Sequence, residues 1–316
     1  MKAVKEICRE WLDTLVVAIS VAMAFRAYFY EPFNIPTGSM QPTLYGNHYE
    51  PCPEPGVMQK TPLKWLEWLA TGRDYKEYRA PATGSLVLFE RGDGRFDMSI
   101  ATRGGVCKEK ISIPTDSLEK LDLGPDARGK KLAPVPFGPS AKVVCEIGPD
   151  GSPGREIRVK KGQLVFSGYD TTGDFIFVNR WKWNFRKPAR GDVMVFSTTG
   201  IDRLAQGTHY IKRLTALPGE TIDIPGPDVL IDGRKIAPIK PAHGAAGEKT
   251  PDPNPGRNGG MTGPVRVGEN EYFACGDNSD NSFDSRYWGA VPEANMRGIG
   301  SCVFWPVANP RWGGIR

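Results

Sequence analysis

Residues 11–30, WLDTLVVAISVAMAFRAYFY, constrain the chain more than any other stretch, and their uncharged core runs from Thr14 to Phe25. Twelve residues are too few to span a bilayer. Twenty residues rising about 1.5 Å each cover the roughly 30 Å hydrocarbon layer once Asp13 and Arg26 sit near its edges. Arg26 can snorkel outward, and Trp11, Tyr28 and Tyr30 suit the interfaces. Lys2, Lys5 and Arg9 lie before the stretch, whereas after Arg26 no Lys or Arg follows until Lys60. That asymmetry puts residues 1–10 in the cytoplasm and the bulk of the chain outside it. The expectation is a retained single-pass anchor over 11–30, with the lipid bilayer as a partner. A cleavable signal peptide, with Ala22-Met23-Ala24 as cleavage site, and a buried core helix are the alternatives.

Beyond the anchor the chain reads as mainly β. Its 316 residues allow about two domains. Strand signals recur over 175–178, 193–196, 210–214, 221–224, 229–231, 271–275 and 301–305, with Asp232-Gly233 as a hairpin turn. Leu86 to Glu90 and Phe96 to Ala101 flank Arg-Gly-Asp-Gly and predict a second hairpin, while 114–140 and 237–264 read as loops. Thr61-Pro62 predicts the start of a short helix ending near Gly72, with Trp65, Leu66, Trp68 and Leu69 on one face. That face is expected to pack on the domain rather than to rest on a membrane. A net charge of +5 is too mild for a nucleic-acid footprint. Six Cys, at 8, 52, 107, 145, 275 and 302, lack Cys-x-x-Cys spacing, which leaves zinc unsupported. Cys107 with Cys145 is the expected bridge.

Four further segments carry chemistry. They are Ser39-Met40-Gln41-Pro42-Thr43; Gly173-Asp174-Phe175-Ile176 with Arg190-Gly191-Asp192-Val193; Tyr210-Ile211-Lys212-Arg213 with Leu217-Pro218-Gly219-Glu220; and the run from Gly276-Asp277 through Ser282-Phe283-Asp284-Ser285-Arg286. With Glu31-Pro32-Phe33 behind the anchor, this ordered set closely resembles bacterial type I signal peptidase, a membrane-bound serine protease with a Ser/Lys dyad. The resemblance covers 10–46 and 162–305. It divides the chain into a cytoplasmic 1–10, an anchor 11–30, a catalytic antiparallel-sheet protease domain of 31–46 and 162–316, and a large insertion of 47–161.

The resemblance implies Ser39 as nucleophile and Lys212 as general base. A lysine can take a proton only when neutral, and burial lowers its pKa. Strand alternation puts Tyr210 and Lys212 on one face, and Ile211 and Arg213 on the other. By the same resemblance the Ser39 N–H and the Thr37 hydroxyl form an oxyanion hole. Ser282 bonds the Lys212 amine, and Asp277, Asp284, Arg213 and Arg286 form supporting ion pairs. Phe33, Ile35, Pro36, Met40, Leu44, Tyr210 and Ile211 line pockets for small residues. The implied substrates are the signal peptides of exported preproteins, cleaved at Ala-x-Ala sites without metal or cofactor. The implied location is the inner (plasma) membrane, with the catalytic domain on the periplasmic side.

Thr37 stands where the family often has Ser, Ser279 where Arg is common, Ala216 where Gly is common and Cys275 where an apolar residue is common. His209 stands where an acid often precedes the tyrosine. A Ser/His/Asp triad would have to use His48, His209 or His243. A non-catalytic peptide-binding homologue should have lost a catalytic group, yet Ser39, Lys212 and Ser282 are all present.

Overall fold

A computed structural model describes residues 2–121, 123, 131–137, 141–148, 150–225, 228–236 and 260–315. Helix α1, Lys2–Tyr28, contains a 20-residue segment, Arg9–Tyr28, that is long and apolar enough to cross a membrane. None of that segment is buried, which contradicts the core-helix alternative. A core helix hides its apolar stripe, whereas Leu12, Val17, Val21 and Met23 here are all at least half exposed.

The chain forms two compact units. One comprises residues 1–34, 175–304 and 313–316, and the other comprises 35–174 and 305–312. These contact boundaries differ from those that the resemblance draws at 46/47 and 161/162. Strand Leu164–Thr171 pairs with both His48–Pro51 and Arg73–Arg79, so it packs with the segment read as insertion.

The first unit is built on an antiparallel sheet ordered Tyr30–Asn34, Phe175–Asn179, Met296–Trp305, Val193–Ser197, His209–Ala216, Glu271–Cys275, Val291–Pro292. Phe175–Asn179 alternates as a half-covered strand does, whereas Val193–Ser197 is buried at every position and so is covered on both faces. Met194, Phe196, Leu214 and Ala274 fill one core, and Ala216, Ile222, Phe273 and Cys275 fill another. The turn at Asp232-Gly233 joins Leu230–Ile231 to Arg234–Lys235, with both turn residues at positive φ.

The second unit has its own core, which includes Leu86, Leu88, Met98, Ile100, Val144 and Phe166. The expected hairpin forms between Gly84–Arg91 and Arg95–Thr102, with Leu86 opposite Ile100 and Arg91 opposite Arg95. The stretch read as loop over 114–140 contains the strand Leu132–Pro136, paired with Ala141–Ile147. Pro134 and Pro136 masked it, although proline is tolerated at a sheet edge. The five described cysteines are free, so the expected Cys107–Cys145 bridge does not form. Val144 faces the main core and its neighbour Cys145 faces a second cluster with Val87 and Val143, while Cys107 packs on the main core. The two thiols therefore lie on opposite sides of the sheet.

The helix foreseen from Thr61 is α2, Lys64–Thr71, and it starts later than expected. Thr61 Oγ1 accepts from the Leu63 N–H at 3.2 Å, and Leu63 occupies the cap position. Gly72 ends the helix at φ 72°, the left-handed conformation that glycine adopts without steric cost. The apolar face of α2 is covered only at Trp68, whose ring lies 5.1 Å from that of Trp305, and Trp65, Leu66, Trp68 and Leu69 all remain exposed.

Candidate active site

Ser39 lies in the second unit, on the single turn Gly38–Met40, and is buried, as is its neighbour Met40. Three prolines keep this segment from becoming helix. The turn is held from behind. Gly46 lacks a side chain at a point where a Cβ would lie 2.3 Å from the Thr37 carbonyl carbon. The Asn47 N–H donates to the Pro36 carbonyl at 3.2 Å, and the Asn47 Oδ1 accepts from the Gly173 N–H at 3.0 Å. Gly94, at the tip of the hairpin, has positive φ, and a Cβ there would meet the Pro36 carbonyl oxygen.

Asp174 fastens the same loop, a role that sequence reasoning missed. Its carboxylate accepts from the Tyr45 N–H at 2.8 Å, from Asn309 Nδ2 at 2.6 Å and from Arg311 Nε at 2.9 Å. Its own carbonyl accepts from the Ile35 N–H at 2.9 Å. The Gly173-Asp174 pair was visible as a motif. Nothing in the sequence tied it to a guanidinium more than a hundred residues away.

Lys212 lies in the first unit, on the strand His209–Ala216, and is 4% exposed. Burial lowers its pKa from 10.5 to about 8, although Asp284 and Asp277 pull the other way. The Tyr210 ring centroid is 5.8 Å from the ammonium, as expected for residues on one strand face. The strand pairs with Val193–Ser197 from His209 to Arg213, but with Glu271–Cys275 only from Arg213 onward. Residues 209–211 thus have a second edge that no strand among the described residues occupies.

Two buried ion pairs stand beside this strand. Arg213 is bidentate to Asp277 at 2.7 and 2.6 Å and also donates to the Gly191 carbonyl, tying the 276–286 loop to the lysine strand. Arg286 is bidentate to Asp284 at 2.7 and 2.8 Å, and Asp284 also accepts from the Gly276 N–H at 2.9 Å. The second pair therefore braces the loop internally. Arg286 also bonds the Ser279 and Ser282 carbonyls. The Ser282 hydroxyl is buried and has no hydrogen-bond partner among the described residues. The expected bond from Ser282 to the Lys212 amine is thus not made in this structure.

The other expected pocket residues divide by burial. Ile35, Met40 and Leu44 are fully buried, whereas Phe33, Pro36, Tyr210 and Ile211 are half-buried. His209 is exposed and packs edge-on against Phe33 at 5.3 Å between centroids. His48 bonds the Gly46 carbonyl and pairs with Glu50, itself paired with Arg73. Burial opposes its charge, but Glu50 and the Gly46 carbonyl prevail and raise its pKa. His243 lies outside the described residues.

Fold and side chains define a class: a mainly antiparallel β protein behind one apolar amino-terminal helix, with a buried serine on a proline-bounded turn and a buried, low-pKa lysine on a strand. The profile of the family "signal peptidase, peptidase S26" matches residues 8–119 and 169–305, and the chain belongs to that family. The match extends through 47–119, beyond the extent of the resemblance read from motifs, and omits 120–168. The chain is 34% identical over 139 residues to signal peptidase I of Leptolyngbya laminosa, covering 42% of this chain and 61% of that one. It is 32% identical over 142 residues to the probable signal peptidase I-2 of a Synechocystis strain, covering 44% and 58%. Against signal peptidase I of Bacillus amyloliquefaciens it is 34% identical over 142 residues, covering 44% and 68%. The chain thus spans about three fifths of the length of the first two.

Proposed function

We propose that this protein is a membrane-anchored serine endopeptidase that removes signal peptides from exported preproteins, with Ser39 as nucleophile and Lys212 as general base. The observation that carries the reading is Lys212: a lysine buried on a strand with its pKa at about 8 is neutral often enough near neutral pH to take a hydroxyl proton. Ser39 attacks the scissile carbonyl as its proton passes to the Lys212 amine. The Ser39 N–H and the Thr37 hydroxyl stabilise the resulting oxyanion. Lys212 then returns the proton to the leaving amine, and the acyl-enzyme is hydrolysed by water activated in the same way.

Arg213, Asp277, Asp284 and Arg286 hold the lysine and its loop in place. The Ser282 hydroxyl, buried and with no hydrogen-bond partner among the described residues, is assigned to orient the neutral amine. The substrate adds as an extended strand along the open edge at 209–211. Phe33, Ile35, Pro36, Met40, Leu44, Tyr210 and Ile211 are assigned to its pockets, which take small side chains. Segments 31–46 and 162–316 carry the chemistry, and 47–161 is an elaboration. The anchor places the catalytic domain on the periplasmic side of the inner membrane, where precursor and enzyme share one bilayer.

The test is product mass after mixing the detergent-solubilised full chain with a precursor bearing an Ala-x-Ala site. Cleavage after the final Ala should vanish in Ser39→Ala and Lys212→Ala and survive in His209→Ala. Loss only with His209→Ala would replace the lysine mechanism with a histidine one. A folded wild type without cleavage would leave a peptide-binding protein.

A further inference from the structure

Helix α2 is attached the wrong way round for a soluble protein. On its helical wheel Trp65, Leu66, Trp68 and Leu69 occupy one continuous arc, with Lys64, Glu67 and Thr71 opposite. In an ordinary surface helix the apolar arc would face the core. Here Glu67 turns inward instead: its carboxylate accepts from Gln59 Nε2 at 2.9 Å, and Gln59 Oε1 accepts from the Tyr75 N–H of the adjacent strand at 3.3 Å. The polar side is thus held to the unit, and of the apolar arc only Trp68 has a ring partner among the described residues, Trp305. No residue of α2 is buried, and Trp65, Trp68 and Leu69 are 54%, 44% and 49% exposed.

The attachment is specific, not loose. The Trp305 indole N–H donates to the Leu69 carbonyl at 2.7 Å, its ring lies 5.1 Å from that of Trp68, and the Ala308 N–H donates to the Ala70 carbonyl at 2.9 Å. Val307, between these anchors, is 56% exposed and extends the patch.

We propose that this outward face of α2 rests in the interfacial layer of a phospholipid bilayer. Its chemistry selects that occupant. Two of its four large residues are Trp, the side chain that favours the headgroup boundary, where the ring is buried and the N–H stays wet. Lys60 and Lys64 flank the patch, exposed and without a carboxylate partner among the described residues, placed to meet anionic headgroups. A second copy of the chain is a poor fit, because one face of an eight-residue helix offers a few hundred Å² where a stable interface takes about 800 Å² per partner. The bilayer is also the one apolar surface to which the chain's own membrane-spanning candidate, Arg9–Tyr28, would tether it. The interfacial contact would fix the orientation of the second unit at the membrane.

The test uses the full chain in vesicles of mixed zwitterionic and anionic phospholipid, with tryptophan emission quenched by lipids brominated either high on the acyl chain or near its end. Trp65→Phe/Trp68→Phe preserves the apolar face and should remove a component quenched most strongly by the high-brominated lipids. Trp11→Phe reports α1 separately, so a failed anchor is distinguishable from a failed interfacial helix. The measurement needs no cleavage and can be made on Ser39→Ala. Quenching unchanged in the double variant overturns the proposal. So does cross-linking of the wild type into dimers that disappear with Trp65→Ser/Leu69→Ser, which would make a second copy the occupant.

Discussion

Lys212 shows most clearly how burial becomes chemistry. Its depressed pKa makes the folded state bind fewer protons than the unfolded chain between pH 8 and 10.5, so stability rises with pH across that window. Below it, holding the charged ammonium inside costs about 3 kcal/mol, the shift converted at roughly 1.4 kcal/mol per unit. Lys212→Met should therefore abolish cleavage while stabilising the protein by up to that amount at pH 7. Denaturant titrations at pH 7 and pH 10 check this, since the gain must shrink at the higher pH. Arg213 behaves oppositely. Arg213→Leu strands a buried Asp277 carboxylate and should cost about 3–5 kcal/mol, whereas Arg213→Leu/Asp277→Leu recovers most of it. Denaturation midpoints of the two variants separate the outcomes. Lys212 and its same-face neighbour Tyr210 were legible in the sequence because period-two alternation is local. The unpartnered Ser282 hydroxyl was not, because it depends on how the 276–286 loop folds rather than on a local pattern.

Single elements were read well where the pattern was local. The hairpin around Gly92-Asp93-Gly94 and the turn at Asp232-Gly233 follow from residues adjacent in sequence. Wheel periodicity gave the apolar arc of α2 but not its direction, because the choice was made by Gln59, five residues before the helix, and by Trp305. The serine turn depends on Gly46 in the same way. Gly46→Ala drives a methyl into the Thr37 carbonyl and should displace the turn, lowering kcat about 10²-fold for a shift of about 1 Å at the reacting group. Steady-state kinetics on a signal-peptide substrate, with far-UV circular dichroism to confirm folding, tests this. For α1, Val17→Arg places a charge that persists at alkaline pH near the middle of the span, at about 3 kcal/mol. The share of protein extracted from membranes at alkaline pH should rise accordingly.

At the scale of the whole molecule, the sequence carried the mainly antiparallel β fold class, while the compact units follow pairings that lie far apart in the chain. The resemblance draws boundaries at 46/47 and 161/162, whereas the compact units divide at 34/35 and 174/175. The reason is pairing. Asp174 holds Tyr45, Asn309 and Arg311 together, and the strand Leu164–Thr171 joins the neighbours of the serine turn, contacts that no local pattern announces. The central claim is that a neutral Lys212 activates Ser39, and the pH dependence of kcat/KM for an Ala-x-Ala peptide tests it most directly. The account predicts a rate that climbs about tenfold per pH unit and levels off above a single titration near pH 8, as for a base that works only when deprotonated. A profile flat from mildly acidic to alkaline pH, or one whose limb lies near the ordinary histidine range and vanishes in His209→Ala, would contradict it.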